Sequence, residues 1–182
     1  GTDSSGTNAL PNGGHGLSLT NDKENNQIGS GNRIVHNGGN GIAIDGDQTV
    51  GNTITQNSIY SNNETEIEFL NPDTPIPIPA SPQISYITAT QTISMTVCAS
   101  CIVEVFGNAN SEPAGEEFIR QCIADSTGTL NCSDASFANW PYLAVTVTDA
   151  EAGTTSEFYP AGREVDPGED IDHYVYIPIV IR

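Results

Sequence analysis

Positive charge is what this sequence has least of. Five Lys and Arg stand against 23 Asp and Glu over 182 residues, a formal charge of −18. Such a surface repels phosphate backbones and anionic lipid, so no nucleic-acid partner is expected; calcium or a basic partner is the better complement. Long apolar runs are also missing. Nothing approaches the roughly 18 to 20 consecutive apolar residues of a spanning helix, so no membrane insertion is expected. The opening Gly1-Thr2-Asp3-Ser4-Ser5-Gly6 has no charged and apolar leader and reads as a mature or trimmed start.

Catalytic signatures are absent as well. There is no G-x-S-x-G, no P-loop and no dinucleotide fingerprint. The three histidines, His15, His36 and His173, sit in no H-x-H or H-E-x-x-H setting and read as corner or surface residues. Enzymatic activity is not expected.

What the chain does have is a repeat. Asn12-Gly13-Gly14-His15-Gly16-Leu17-Ser18-Leu19 matches Asn37-Gly38-Gly39-Asn40-Gly41-Ile42-Ala43-Ile44 at an offset of 25 residues. The same step carries Asn37 to Asn62, Ile42 to Ile67, Ile44 to Phe69, Asn32 to Asn57, Ile34 to Ile59 and Val35 to Tyr60. Short apolar pairs separated by Gly and Asn give three short strands per repeat. Such strands cannot bury their side chains alone, so successive repeats must stack about 4.8 Å apart with equivalent residues superimposed. Asn12, Asn37 and Asn62 then form a ladder, since Asn tolerates left-handed corners and its amide bonds the Asn one repeat on.

The elements N-x-I, N-G-G-x-G-I-x-I and N-S-I-Y-S-N resemble the right-handed parallel β-helix repeats of the pectate-lyase-like superfamily, in particular those of large bacterial surface proteins. The resemblance covers residues 1–70 and implies about two to three coils. It implies little about activity, because the superfamily includes lyases, hydrolases, adhesins and inert spacers. Its lyases cluster calcium-binding carboxylates and basic residues on one face. Here Asp22, Asp45 and Asp47 are the candidate calcium ligands, Asp22 stepping onto Asp47, with Glu24 nearby. Lys23 and Arg33 are the only positive charges of this region, too few for proton abstraction from acidic sugars. No other cofactor is expected. A stack so short leaves an apolar end with unpaired backbone groups, which something must cover.

Residues 71–82, N-P-D-T-P-I-P-I-P-A-S-P, hold five of eleven prolines and read as a linker. Strand patterns follow at 84–89, 93–97, 102–106, 117–124, 142–148 and 156–159. Ile93/Met95/Val97 and Leu143/Val145/Val147 alternate with Ser and Thr facing out. The pattern predicts a small β-sandwich of immunoglobulin-like type over 83–160. The segments around Cys101–Gly107 and Val145–Phe158 resemble the Ig-like modules that follow β-helix repeats in such surface proteins, modules that are not enzymes. The fold class is therefore all-β.

Cys98, Cys101, Cys122 and Cys132 all fall within this strand-rich part, which favours disulfides and an extracellular or cell-surface location. Two local hairpin bridges are the simplest pairing, Cys98 with Cys101 across Ala99-Ser100 and Cys122 with Cys132 about the turn at 125–128, although other pairings fit the spacing. A four-cysteine zinc site is the competing reading, weakened by having a single C-x-x-C. No helix pattern follows that motif, as a redox role would want. Trp140 reads as a core anchor, or else a ligand contact.

An acidic hinge, residues 161–170, leads to an apolar strand at 171–182, in which Tyr174, Val175, Tyr176, Ile177, Ile179, Val180 and Ile181 are candidate assembly residues. Pro178 confines this strand to an edge. It either completes its own sandwich or adds to the open coil of a neighbouring copy. The expected function is that of a non-catalytic structural protein forming a homo-oligomer or polymer head to tail as a filament or surface layer. The alternative is a cell-surface carbohydrate-binding or adhesive module with a glycan partner.

Overall fold

A computed structural model describes residues 1–6, 8–21, 23–46, 49–70 and 79–162. Their regular structure is β, apart from two short 3-10 turns. The first seven strands are short: β1 (Leu17–Leu19), β2 (Gln27–Ile28), β3 (Arg33–Val35), β4 (Ile42–Asp45), β5 (Thr53–Ile54), β6 (Ser58–Tyr60) and β7 (Ile67–Leu70). They pair in parallel as three ladders, β1-β4-β7, β2-β5 and β3-β6. Register follows the repeat: Leu17 lies beside Ile42 and Ile42 beside Ile67, Leu19 beside Ile44 and Ile44 beside Phe69, Ile34 beside Ile59.

The asparagine ladder forms as the repeat requires. Asn12 Nδ2 donates to Asn37 Oδ1 at 3.0 Å, and Asn37 Nδ2 to Asn62 Oδ1 at 2.8 Å. A second ladder joins Asn32 to Asn57 at 2.9 Å. A third, Asn26 to Asn52 at 2.9 Å, steps by 26 rather than 25, and Ile28 accordingly pairs with Ile54. The extra residue is Gly51, because Asn25 N still bonds Val50 O while Asn26 N bonds Asn52 Oδ1. Gly51 has a left-handed φ of 67°, and a Cβ there would stand 2.5 Å from Asn25 Oδ1.

Beyond the proline-rich segment, of which 79–82 are described, the pairing turns antiparallel. The strands are β8 (Ile84–Ile87), β9 (Thr92–Thr96), β10 (Ile102–Asn108), β11 (Glu117–Ile123), β12 (Thr129–Ser133), β13 (Tyr142–Thr148) and β14 (Tyr159–Gly162). They make two sheets, ordered β12-β9-β8 and β11-β10-β13-β14. Ile93, Met95 and Leu130 of the first sheet share one core with Val103, Val105, Leu143, Val145 and Val147 of the second, as the inward face of a β-sandwich should. One expectation shifts here, and one strand was not expected. The strand expected at 156–159 lies at 159–162, and β12 falls at 129–133, where its sequence T-L-N-C-S shows only a short alternation.

The disulfides join Cys98 to Cys101 and Cys122 to Cys132. They do not sit within hairpins of one sheet. Cys98 follows β9 and Cys101 precedes β10, while Cys122 lies on β11 and Cys132 on β12, so each bridge crosses between the two sheets. With all four cysteines so paired there is no free thiol, and the four-cysteine zinc reading does not apply.

Candidate functional site

The most elaborate polar construction in the chain is the surface where the last repeat meets the sandwich. Its origin is the alternation of β10. Val103 and Val105 enter the sandwich core, which turns Glu104, Phe106 and Asn108 to the opposite face. That face is not solvent. Glu104, Phe106 and Asn108 are 2%, 2% and 3% exposed, because the repeats lie on it. The expectation that the Thr residues of β13 face out fails for the same reason: Thr146 and Thr148 are buried while Ala144 joins the repeat core.

Several backbone groups that a further repeat would have engaged find partners in the sandwich. Gly31 N donates to Gln56 O at 3.0 Å inside the stack; Gln56 N has no next repeat and donates to Glu104 Oε2 at 2.8 Å. Thr55 Oγ1 donates to the other oxygen, Glu104 Oε1, at 2.5 Å. Ile54 N reaches Thr155 Oγ1 at 2.9 Å, and Gly51 N reaches Thr154 Oγ1 at 3.2 Å. Ile59 and Gly115 exchange a reciprocal pair at 2.8 Å each. Phe106, its ring edge-on to Phe118 and Phe158 at 5.8 and 5.3 Å, completes one apolar cluster with Ile54, Ile59, Ile67 and Phe69. The sandwich therefore acts as one more rung of the stack.

Charge at this seam is negative and poorly hydrated. Burial pushes the carboxyls of Glu66, Glu104 and Glu157 above their ordinary range. Bonds from Asn62 oppose this at Glu66, bonds from Thr55 and Gln56 oppose it at Glu104, and Glu68 reinforces it at Glu157. Glu66 also ends the longest asparagine ladder, accepting a short bond from Asn62 Nδ2 where the next repeat would have supplied an acceptor. A cavity of about 320 Å³ opens beside the seam, lined among others by Tyr60, Asn62, Asn108 and five glutamates, Glu64, Glu66, Glu112, Glu116 and Glu157. Asn108 Oδ1 accepts from Glu116 N at 3.1 Å, while its buried Nδ2 has no partner among the described residues. The lining favours cations or hydroxyl-rich neutral groups over anions.

None of the seam glutamates was singled out by sequence reading. The usable signal was the apolar Phe106 and Phe118 on strand positions that alternate away from the sandwich core.

Of the candidate calcium ligands, Asp22 and Asp47 lie outside the described residues. Asp45 ends β4, half-buried, its carbonyl accepting from Thr49 Oγ1 at 2.7 Å. The candidate assembly residues Tyr174, Val175, Tyr176, Ile177, Ile179, Val180 and Ile181, and His173, also lie outside them. His15 is structural, its Nδ1 accepting from Asn40 N at 3.0 Å, and His36 turns a corner at φ 55° beside Tyr60. Trp140 packs on the sandwich core over Gly107, where a Cβ would stand 2.2 Å from the indole.

The paired cysteines fit an oxidising, non-cytoplasmic compartment. Among the described residues no helix is long and apolar enough to cross a membrane. No protein-family model matches the chain, and no curated protein matches it.

Proposed function

We propose that the protein is a non-catalytic extracellular structural protein. In this reading residues 1–70 are coils of a right-handed parallel β-helix of the bacterial surface-protein kind, and residues 83–160 are an Ig-like sandwich that closes one end of it. The chain assembles head to tail through the other end and the apolar strand at 171–182.

The observation that carries the reading is the inequality of the two ends. At the sandwich end Ile54, Ile59 and Ile67 are 4%, 1% and 0% exposed. At the opposite end their counterparts Ile28, Ile34 and Leu17 are only half-buried, and β1 and β2 have no strand beyond them among the described residues. Residues 1–6 and 8–10, closed by a bridge between Thr2 and Ala9, bond the repeats at the end of β3, through a short bond from the Gly1 amino group to Val35 O and another to Asn37 Oδ1 at 3.4 Å, and leave Leu10 59% exposed. A second copy supplying an apolar strand fits this face better than a glycan, which would want exposed aromatic platforms.

Negative-stain electron microscopy and light scattering on the full chain, beside one ending at Asp172, test this. Fibres or oligomers that need the last ten residues are expected. Monomers in both samples at high concentration would sink the proposal and turn attention to glycan binding at the acidic cavity, where Tyr60, Asn108 and the glutamates offer partners for hydroxyls.

A further inference from the structure

Away from the seam, metal-ligating atoms converge at the crossing from β9 to β10. Cys98 Sγ, Cys101 Sγ and a carboxylate oxygen of Asp149 lie within 4.8 Å of one another, the one such group of His, Cys, Asp or Glu found among the described residues. While the disulfide is intact its sulfurs are neutral and bonded to each other, and the group cannot hold an ion. We propose that reduction of Cys98–Cys101 converts this corner into a site for one thiophilic divalent cation of the zinc type, bound by the two thiolates and Asp149.

The backbone holds the two sulfurs together without the bond between them. Cys101 N donates to Cys98 O at 3.2 Å and Ser100 N to Asp125 O at 3.1 Å, with Ser100 in a left-handed conformation at φ 59°. The two Cα atoms are 5.3 Å apart, and a C-x-x-C turn is the spacing that offers two thiolates to one tetrahedral ion. Asp149 is equally fixed. Its Oδ1 accepts from Glu151 N at 2.9 Å and Ala152 N at 3.1 Å, and among the described residues no hydrogen bond reaches Oδ2. A zinc ion takes four ligands, so a fourth position remains for water. The room for it is a cavity of about 330 Å³ lined by Pro79, Ala80, Thr96, Val97, Cys98 and Asp149.

The same geometry sets the order of the redox steps. Cys98 is half-buried at this cavity and Cys101 is fully buried, so a dithiol reductant attacks Cys98 Sγ. A mixed disulfide forms, the Cys98–Cys101 bond breaks, and Cys101 leaves as a thiolate that takes a proton. The reductant's second thiol then attacks its own mixed-disulfide sulfur, releasing Cys98 and closing the reductant into a disulfide. Two electrons and two protons reach the protein, and the incoming cation displaces both protons. The fold should survive, because this bridge closes a loop of sequence separation only 3 and the two sheets share the buried core of Ile93, Met95, Val103 and Val145.

Cobalt(II) is the probe. The full chain is reduced without denaturant, freed of reductant in the absence of oxygen, and titrated with Co²⁺ and then Zn²⁺, with near-ultraviolet circular dichroism read alongside. One Co²⁺ per reduced chain, with thiolate-to-cobalt charge-transfer absorption that Zn²⁺ abolishes, is expected; the oxidised chain shows none. Cys98→Ser or Cys101→Ser removes the band. Asp149→Asn, which keeps the turn acceptor, weakens affinity about tenfold or more, and the double variant Cys122→Ser/Cys132→Ser leaves the band in place. A reduced chain without the band, one that has lost its tertiary dichroism, or a band that persists in Cys98→Ser overturns the proposal.

Discussion

The two ends of the repeat stack are built from the same residue types and differ in what lies against them. Ile34 and Ile59 occupy equivalent positions in adjacent repeats, yet only Ile59 is fully buried, because Gly115 bonds its backbone and Phe106 stands in its cluster. The ladder through Asn12, Asn37 and Asn62 keeps its 25-residue step through both repeats. Ladder bonds and strand register are thus properties of the repeat itself, while burial of its core depends on the neighbour. The repeat nearest the sandwich completes its buried core against it, and the two disulfides strengthen that neighbour rather than the repeats.

Removing the neighbour's central side chain should have the largest effect. Phe106→Ala opens a cavity between Phe118, Phe158 and the last repeat and is expected to cost about 3–5 kcal/mol in urea denaturation. If the two parts unfold independently, the transition of the repeats will not move, and the account of the sandwich as a rung fails. Next comes the internal comparison. Ile59→Ala is expected to cost about 3 kcal/mol and Ile34→Ala roughly half that, since Ile34 already gives part of its surface to water. Equal losses would mean that the open end is covered in solution, and loss of that equality on dilution would identify the cover as another copy.

How much of this the sequence disclosed follows from what each signal reports. Recurring Asn and Ile report on stacking, so the ladders through Asn37 and Asn57 and the pairs Leu17/Ile42 and Ile34/Ile59 were legible residue by residue. A bulge reports through one glycine among 18 and was not, so the 26-residue step at Gly51 was missed. Alternation in β13 was legible, but its polar phase looked solvent-facing. Thr is compatible with water and equally with a buried acceptor such as the Thr155 hydroxyl, 2.8 Å from Thr148 Oγ1. Cysteine spacing suggested the right partners on the wrong geometry, because a hairpin turn and a crossing between sheets can both bring residues 3 or 10 apart together. The seam glutamates were invisible, since nothing in an isolated Glu tells a buried hydrogen-bonded carboxyl from a solvated one.

Those glutamates give the last and smallest effect, and its sign sharpens the contrast between seam and surface. Glu66, Glu104 and Glu157 have folded pKa values raised by burial, so the fold prefers them protonated. Their contribution is fully present below the ordinary Glu range and is lost as pH rises through the raised values. Asp125 and Asp134 behave oppositely. Bonds from the Thr127 hydroxyl and backbone amides at Asp125, and from Ser136 N and Arg120 at Asp134, lower their pKa values. Their stabilisation is present at neutral pH and is lost only as pH falls below the ordinary Asp range. Acidification from neutral pH toward the ordinary Glu range should therefore raise the urea midpoint, before the surface aspartates reverse the trend at lower pH. Relief of the overall charge of −18 would act in the same direction, but high salt screens that term and leaves the buried carboxyls largely unscreened. A rise that survives high salt and shrinks in Glu104→Gln assigns it to the seam; a rise abolished by salt assigns it to the surface and means that Glu104 titrates as a solvated carboxyl.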